Sequence, residues 1–448
     1  MRVCLVNPPS TFLLDQRVFP PLGVLRVGAV LEQAGISVSV CDMANGDVLP
    51  QADVYGITAT TAQMPAAFSL EIPGRTLLGG AHATMVAASA KRGSERGKKL
   101  LAGLVERFGT VVAGDGERAI LKALDGATGL IDADDYRSPL YVVDQDEIPR
   151  PARHLIDMGA YRYTIDDKPA TSIVTQLGCP FGCAFCGGRY SPFYRKVRLR
   201  SVEHVMGEVG ELVEMGYRGL MFFDDELNVA PQMSELMASL TQYQRERGVR
   251  LSLRGFCKAS IFTRAQAEAM AGAGFSEVLF GFESGDDRIL KNIRKGNVEQ
   301  NTSAARMAHA AGLRIKALMS IGHAGETAES AHSVVSWLTG IRPDDFDVTV
   351  ITPYPGTPYW DDAVRTERGW TFTAPNGDRL HSSDVDYSAD QSHYKGVPGD
   401  YISHVSTDAL TASGIVRIRD YVEDTLRKTL SIQYPKPFHF DHSMGQSA

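Results

Sequence analysis

Short apolar runs alternate with helical stretches through the first 125 residues of the chain. Five of these runs are predicted to be strands: "RVCLVNPP", "SVSVCDM", "DVYGITATT", "GRTLLGGAHAT" and "TVVAGDGE". Between the first two, "PLGVLRVGAVLEQAG" has apolar residues near helical spacing and ends at Gly35. Repeated strand and helix units with glycine at the strand ends indicate an open parallel sheet. We therefore predict a Rossmann-like (flavodoxin-like) α/β domain over residues 1–127.

A second strand and helix series begins with "TSIVTQLG" at residues 171–178. It continues through "GLMFFDDE", "RLSLRGFCK", "EVLFGFES", "RIKALMSIG" and "FDVTVITPYPGTP", separated by stretches of 3.6-residue periodicity. Six such strands predict a partial parallel (β/α)6 barrel over residues 166–360. The Asp- and Pro-rich residues 128–165 are the predicted linker. Residues 361–448 are predicted to form a small α-rich region or substrate lid that contains an amphipathic helix.

Composition and charge limit the kinds of partner that this protein is expected to bind. With 44% hydrophobic residues the chain can form a sizeable core, and its net charge is −7. An acidic chain lacks the basic face that nucleic acid or an anionic membrane would need. No apolar run approaches the ~20 residues that span a bilayer, and the first residues lack signal-peptide features. We expect a cytoplasmic protein without a nucleic-acid or membrane partner.

Three of the six cysteines lie within eight residues, in "GCPFGCAFCGG" at positions 178–188. Structural zinc normally takes four protein ligands, and no second CxxC supplies a fourth. A disulfide would leave one thiol over, in a compartment where disulfides rarely persist. Three thiolates suit an iron–sulfur cluster, in which one iron then stays open to a small molecule. The alternative is that these are ordinary buried cysteines.

The CxxxCxxC spacing, with Phe185 just before the last cysteine, resembles the signature of the radical S-adenosylmethionine (SAM) enzymes. Four later stretches also resemble this family: "FFDDE", "GFESGDDRILKNIRKG", "SIGHAGET" and "TPYPGTP". The resemblance implies a 4Fe-4S cluster on Cys179, Cys183 and Cys186. It also implies that SAM chelates the open iron and is cleaved to methionine and a 5′-deoxyadenosyl radical.

The same resemblance implies SAM contacts at six positions: Phe185, Asp224, Asp225, Glu226, Glu283 and Ser284. The acidic run would meet the methionine amino group, Glu283 and Ser284 the sugar or the methionine moiety, and Phe185 the adenine. A solvated loop is the alternative for the acidic run. For Glu283 the alternative is a capping or salt-bridging carboxylate.

The first 158 residues resemble the cobalamin-binding domains found ahead of the barrel in one branch of radical SAM enzymes. The matching stretches are "NPP", "DVYGITATTAQ", "GGAHAT", "AGDGE" and "IPRPARHLID". The cobalamin contacts implied are Thr58, Ala59, Thr60, Gly79, Gly80, His82, Gly114, Asp115, Gly116 and Glu117. No histidine lies in a DxHxxG pattern, so cobalamin is expected base-off. For His82, a hydrogen bond within its turn is the alternative to cobalt ligation.

Two features of the sequence bear on the prediction of a cobalamin-binding domain. The residues between the third and fourth strands, "AQMPAAFSLEIPGR", are too few for a full crossover helix and its turns, so one sheet face should be thinly covered. A plain nucleotide-binding Rossmann domain is a further alternative, but GxGxxG is absent after the first strand.

Three further features are weaker candidates for function. Cys257 follows a strand whose residues are expected to point into the barrel, where it could donate a hydrogen atom or ligate cobalt, and packing is the alternative. Tyr394, with Tyr401 and His404, could close the barrel mouth over a substrate. The cations of residues 189–200 could meet an acidic substrate or be solvated.

The two resemblances together imply a C-methyltransferase. A methyl group would pass from methylcobalamin to an unactivated carbon of a small molecule, and a flavodoxin or ferredoxin would supply electrons. Alternatives are a cobalamin-containing cyclase or rearrangement enzyme, a radical SAM enzyme with a vestigial first domain, and a non-enzymatic iron–sulfur protein.

Overall fold

The computed structural model describes residues 1–10, 15–390 and 402–434. Within these ranges no helix is both long enough and apolar enough to cross a membrane. The chain forms a parallel sheet domain, a partial barrel and a C-terminal region, in that order.

The N-terminal domain is an open parallel sheet with helices on its faces. Its strands are β1 (Arg2–Asn7), β2 (Ser37–Asp42), β3 (Val54–Thr58), β4 (Arg75–Gly79), β5 (Thr110–Gly114) and β6 (Gly129–Ala133). Its helices are α1 (Leu22–Gln33), α2 (Met64–Ser69), α3 (Ala81–Lys91), α4 (Glu95–Phe108) and α5 (Gly116–Leu124). The strand order β2-β1-β3-β4-β5-β6 is the flavodoxin-like order, so the predicted fold is confirmed.

The boundary of this domain differs from the prediction. Strand β6 falls inside the predicted linker and pairs with β5 from Thr110 to Gly114. Between β3 and β4 the chain forms a 3-10 turn and the six-residue helix α2, which agrees with the expected thin cover of one face.

The second domain is a partial barrel of six parallel strands. The six are β8 (Lys168–Ile173), β11 (Gly219–Phe222), β12 (Ser252–Phe256), β13 (Phe275–Glu283), β14 (Arg314–Ile321) and β15 (Asp345–Val350). Strand β7 (Thr164–Ile165) joins this sheet at its edge, while β9 (Gln176–Leu177) and β10 (Arg198–Leu199) form a separate two-stranded sheet. Its helices are α6 (Pro192–Arg195), α7 (Val202–Glu214), α8 (Met233–Arg247), α9 (Arg264–Gly272), α10 (Asp287–Ile293), α11 (Val298–Ala310), α12 (Ala328–Ile341) and α13 (Pro358–Asp361). The sheet order is β15-β14-β13-β12-β11-β8-β7, with only the short β7 antiparallel. The predicted six-stranded partial barrel is confirmed.

Alternation along the barrel strands separates two apolar clusters. Leu253 and Phe280 face the helices and belong to the largest core cluster. Phe256 and Leu279 face the opposite side of the sheet, where Phe19 from the segment after β1 packs with them. The barrel interior is therefore partly filled by a residue of the N-terminal domain.

The C-terminal region contains strands as well as the predicted amphipathic helix, so it is less α-rich than expected. It contains the antiparallel strands β16 (Val364–Thr366), β17 (Gly369–Thr373), β18 (Arg379–Ser382) and β19 (Val405–Thr407), followed by the helix α14 (Ala412–Leu430). From α14, Arg419 Nε donates to Val348 O at 2.9 Å, and Arg427 Nη2 donates to Phe346 O at 3.0 Å. These carbonyl groups belong to the edge strand β15, so the helix covers the open edge of the barrel sheet.

Candidate active site

The three clustered cysteines lie on the loop between β9 and β10, at the carboxyl end of the first barrel strand. Backbone bonds fix this loop: Cys179 N donates to Tyr194 O at 2.7 Å, and Ala184 N donates to Ile293 O at 3.0 Å. Arg195 Nη1 also donates to Phe181 O at 2.6 Å. The loop is thus held both by its own later residues and by Ile293 of α10.

The chemistry of these thiols fits iron–sulfur ligation. All three cysteines are free. Burial raises the pKa of Cys179 to about 12 and that of Cys186 to about 11, so their thiolates need a cation to stabilise them. Lys258 Nζ already lies 3.9 Å from Cys183 Sγ. Three sulfur donors on one loop beside a buried lysine match the donor set of a cluster.

No three His, Cys, Asp or Glu side chains within the described ranges are grouped closely enough to hold one metal ion. Thiolates of an iron–sulfur cluster bind different iron atoms, so they stand farther apart than ligands of a single ion.

The three acidic residues after β11 are not equivalent. Asp224 accepts hydrogen bonds from Thr175 N and Oγ1, each at 2.6 Å, and from Gln176 N at 3.1 Å. Burial raises the pKa of Asp224 to about 6, and the bonds from Thr175 oppose that shift. Asp225 accepts from Gly178 N at 2.7 Å, next to Cys179. These two carboxylates therefore anchor the cysteine loop to β11.

Glu226 differs from its two neighbours. Its carboxylate makes no hydrogen bond to any described residue, although its backbone oxygen accepts from Gln176 Nε2 at 3.1 Å. Burial raises the pKa of Glu226, and the charges of Lys295 and Lys258 oppose this rise. Among the three acids, Glu226 is the one with a carboxylate left for a ligand.

Glu283 ends β13 in an unusual backbone conformation. Its φ is 66°, in the left-handed region that non-glycine residues rarely adopt, and the pairing of β13 with β14 shifts register between Gly281 and Glu283. Its carboxylate accepts from Ser320 Oγ at 2.7 Å and lies 3.2 Å from Lys295 Nζ. Such strain commonly marks a functional position. Ser284, which follows, is buried, and its Oγ accepts from Asp286 N at 3.2 Å.

Three residues near Glu283 were not predicted from the sequence. Lys258 lies 4.8 Å from the centroid of the Phe181 ring, and Lys295 pairs with Glu283. His323 packs its ring against Phe185 at a centroid distance of 5.3 Å. Burial lowers the pKa of His323 to about 4, so the ring is neutral at pH 7. The stretches "NIRKG" and "SIGHAGET" contain two of them, whereas the contact of Lys258 with Cys183 spans 75 positions.

The structure places Cys257 in the core, as its packing alternative expects. Its thiol lies 4.0 Å from Met270 Sδ of α9, within the core between sheet and helices. Strand alternation turns the side chain of Cys257 away from the barrel interior, which Lys258 faces instead. The packing interpretation therefore fits. Tyr394 and Tyr401 lie outside the described residues. His404 Nε2 lies 3.7 Å from Asp390 Oδ2.

In the N-terminal domain, the turns after β3 and β4 pack against each other. Gly80 has φ 93° and ψ −169°, and a Cβ there would lie 2.7 Å from Thr58 Oγ1 and 2.8 Å from Ala59 N. Thr60 forms a capping box with Gln63. Only glycine permits this close approach, which brings Thr58, Ala59, Thr60, Gly79 and Gly80 together at one edge.

His82 is buried below this turn. Its Nδ1 lies 3.1 Å from Thr61 Oγ1, so the ring is hydrogen-bonded within its turn, which is the alternative to cobalt ligation. Nearby, the hydroxyl of Ser10 after β1 is buried without a hydrogen-bond partner in the described structure. Strands β1 and β3 flank the point where strand order reverses, which is where ligands bind in this fold. An unsatisfied polar group at that edge fits a bound polar cofactor.

Beyond β5, Gly114, Asp115, Gly116 and Glu117 begin the helix α5. Arg198 Nη1 donates to both oxygens of Asp115 at 2.9 and 2.6 Å, and all these atoms are buried. Glu117 Oε1 lies 2.9 Å from Arg26 Nε. Both carboxylates are therefore held in ion pairs, and the Asp115 pair joins the two domains.

The carboxyl edges of the sheet and of the barrel face each other. A Cβ at Gly187, in the cysteine loop, would overlap Met85 Sδ of α3. Ser191 Oγ, farther along that loop, donates to Asp134 Oδ1 at 2.6 Å just after β6. The residues predicted to bind SAM and those predicted to bind cobalamin thus lie on two sides of one interface.

Residues 173–338 match the sequence model of the Radical SAM superfamily. This match covers the cysteine loop, the acidic run, Glu283 and His323. The chain therefore contains a radical SAM domain, and the protein is an enzyme of the radical SAM class.

Its relatives and structural neighbours include methyltransferases. The chain is 27% identical over 400 residues to an uncharacterized methyltransferase of Pyrococcus horikoshii, covering 81% of this chain and 83% of the relative. It is 25% identical over 376 residues to bacteriochlorophyllide d C-12(1)-methyltransferase of Chlorobaculum tepidum, covering 80% and 77%. The radical SAM methyltransferase TsrM of Kitasatospora setae, solved with cobalamin and a [4Fe-4S] cluster bound, has a TM-score of 0.65 at 17% identity, covering 96% of this chain and 88% of TsrM. The two proteins share a fold.

Proposed function

We propose that this protein is a cobalamin-dependent radical SAM methyltransferase acting on a small molecule. A methyl group would pass to an unactivated carbon from which a 5′-deoxyadenosyl radical has removed a hydrogen atom. The observation that carries this proposal is the contact between the two carboxyl edges, through Met85 and Gly187. It brings the cysteine loop to the side of the sheet where a cofactor would bind.

The cluster and SAM would be held by the residues at the barrel edge. Cys179, Cys183 and Cys186 would hold a 4Fe-4S cluster, while Glu226 has a carboxylate free for the methionine ammonium. Glu283 would accept hydrogen bonds from the sugar hydroxyls or from the methionine moiety. Phe185, backed by the His323 ring, offers an apolar face to adenine.

Cobalamin would lie against Ser10, Thr58, Ala59 and the glycine pair after β4. The engagement of His82 with Thr61 supports binding without a histidine below the cobalt. When bound, the cluster supplies one electron for cleavage of the SAM sulfonium, and cobalamin supplies the methyl group.

The protein's own residues have three tasks in this reaction. Asp224 and Asp225 keep the cysteine loop fixed on β11. Lys258 and Lys295 place positive charge beside the thiolates and the carboxylates of the SAM site. Phe19 and its apolar neighbours in the barrel interior exclude water from below. A flavodoxin or ferredoxin is the electron donor that we propose.

The test uses the protein purified without oxygen and reconstituted with iron, sulfide and hydroxocobalamin. We expect corrin absorption at one equivalent per chain, and cleavage of SAM when dithionite is added. With SAM deuterated at its methyl group, the label should appear in a product formed from candidate small molecules. Bound corrin and SAM cleavage with unlabelled product would instead support cyclisation or rearrangement. Protein without corrin would support a vestigial first domain.

A further inference from the structure

A chain of hydrogen bonds connects Tyr359 to Glu283 through the barrel interior. Tyr359 OH lies 3.2 Å from His323 Nδ1, and His323 Nε2 lies 2.7 Å from Ser320 Oγ. Ser320 Oγ in turn lies 2.7 Å from Glu283 Oε2. Tyr359, His323, Ser320 and Glu283 are all buried, so water does not compete for these bonds.

The groups at the two ends of this hydrogen-bond chain determine which atom donates in each bond. The Glu283 carboxylate, paired with Lys295, can only accept, so Ser320 must donate its single proton to it. The Ser320 oxygen is then an acceptor, and the proton that it receives must come from His323 Nε2. Nδ1 of the neutral ring is left as an acceptor, so Tyr359 OH donates to it. The Tyr359 oxygen in turn accepts a hydrogen bond from Ala324 N at 3.4 Å. His323 is thereby held as the Nε2-protonated tautomer.

This chain of hydrogen bonds ends at Glu283, whose backbone conformation is strained. Glu283 has a left-handed backbone at φ 66° beside a register shift, so its conformation persists only because its surroundings fix it. Lys295 holds one carboxylate oxygen and Ser320 holds the other. Without the proton of His323, Ser320 could turn its hydroxyl away from Glu283.

We infer that His323 and Ser320 are positioning residues that orient the Glu283 carboxylate for SAM. This inference rests on the proposed function, because it takes Glu283 as a SAM contact. His323 acts as a fixed hydrogen-bond donor, and its task is the geometry of another residue rather than proton transfer. The contact of its ring with Phe185 extends the same support to the adenine side of the site.

The test measures the dissociation constant of SAM on reconstituted protein, by equilibrium dialysis without reductant. His323→Phe keeps an aromatic ring against Phe185 but removes both nitrogens, and Ser320→Ala removes one hydroxyl. Each should weaken SAM binding about tenfold, as expected when a hydrogen bond to a charged group is lost. His323→Gln places an amide donor near the position of Nε2 and should stay within about twofold of the wild type.

The matched control is His381→Gln, at a buried histidine that bonds to Thr371 Oγ1 at 2.8 Å in the C-terminal sheet. It should bind SAM like the wild type. Wild-type affinity in Ser320→Ala would overturn the inference, and so would equal weakening in His323→Phe and His323→Gln. Iron content and melting temperature identify a variant that has lost its fold. If the His323 variants are unfolded, the SAM affinity of Ser320→Ala alone decides the inference. If the wild type itself binds no SAM, the proposed function fails before the variants are compared.

Discussion

The two carboxyl edges that face each other in this protein are built in different ways. The barrel edge concentrates ionisable side chains: Lys258 near Cys183, and Lys295 near Glu283. At the edge of the N-terminal sheet the carboxylates of Asp115 and Glu117 are already held by arginines. What that second edge offers is close-packed backbone and small side chains.

The difference indicates two kinds of recognition. Charged groups at the barrel edge suit SAM, which carries an ammonium, a carboxylate and a sulfonium. Small residues suit a broad, flat cofactor, since any large side chain would hold it away. A variant at one edge should therefore weaken the binding of one cofactor and leave the other bound.

Replacing a cysteine of the loop should have the largest effect. In Cys183→Ala the remaining two thiols cannot hold a 4Fe-4S cluster, so iron content and SAM cleavage should both fall to background. Corrin binding should persist, because the residues proposed to hold cobalamin belong to the other domain. Iron and sulfide analysis, together with the corrin absorption, measures the two outcomes separately.

The matched control is Cys257→Ala, which also removes a buried barrel thiol but one that packs on Met270. It should keep the cluster and cleave SAM. Loss of cleavage in Cys257→Ala with a full cluster would mean that this thiol has a chemical role after all.

The next effect concerns the link between the edges. Arg198→Met removes the guanidinium that meets both oxygens of Asp115 and leaves that carboxylate buried without its cation. Unpairing a buried ion pair costs about 3–5 kcal/mol, so the urea midpoint should fall markedly. Arg365→Met, at an exposed pair with Asp384, should cost about 1 kcal/mol or less. Equal stability of the two variants would show that the Asp115 pair does not hold the domains together.

Much of the fold could be predicted because its signals are local. The parallel strands are apolar runs, and the cysteine loop is a motif within eleven residues. Strand β6 was missed since it is short, begins at Gly129 and lies in an Asp- and Pro-rich stretch. The C-terminal strands are not predicted because none is longer than five residues and β16 is exposed throughout.

Within the site, only the residues that belong to recognisable motifs could be predicted from the sequence. The three acids of "DDE" look alike in sequence, yet two anchor the loop and only Glu226 is left without a hydrogen bond to its carboxylate in the described structure. Lys258 was not predicted because its contact with Cys183 spans 75 positions. Such contacts depend on which strands are neighbours and in what register, which no local pattern specifies.

A smaller effect concerns the dependence of stability on pH at the barrel edge. Burial lowers the pKa of His323 to about 4 from an ordinary value near 6.5, so between these values the unfolded chain binds a proton that the folded chain does not. The stabilisation is therefore complete above pH 6.5 and is lost as pH falls towards 4, by about 3 kcal/mol in total. Urea unfolding at several pH values should show a shallower acid loss in His323→Gln than in the wild type. If stability fell equally with pH in His323→Gln and in the wild type, the lowered pKa of His323 would be contradicted.

The smallest effect should arise at the N-terminal edge. Gly80→Ala puts a Cβ 2.7 Å from Thr58 Oγ1 and 2.8 Å from Ala59 N, at φ 93°. The strain should cost about 1–3 kcal/mol and displace the turn after β3, so corrin content should fall while the cluster stays intact. Gly103→Ala, where a Cβ in helix α4 meets nothing within 4 Å, is the control and should keep its corrin. If Gly80→Ala lost the cluster but kept the corrin, the assignment of the two edges to their cofactors would be reversed.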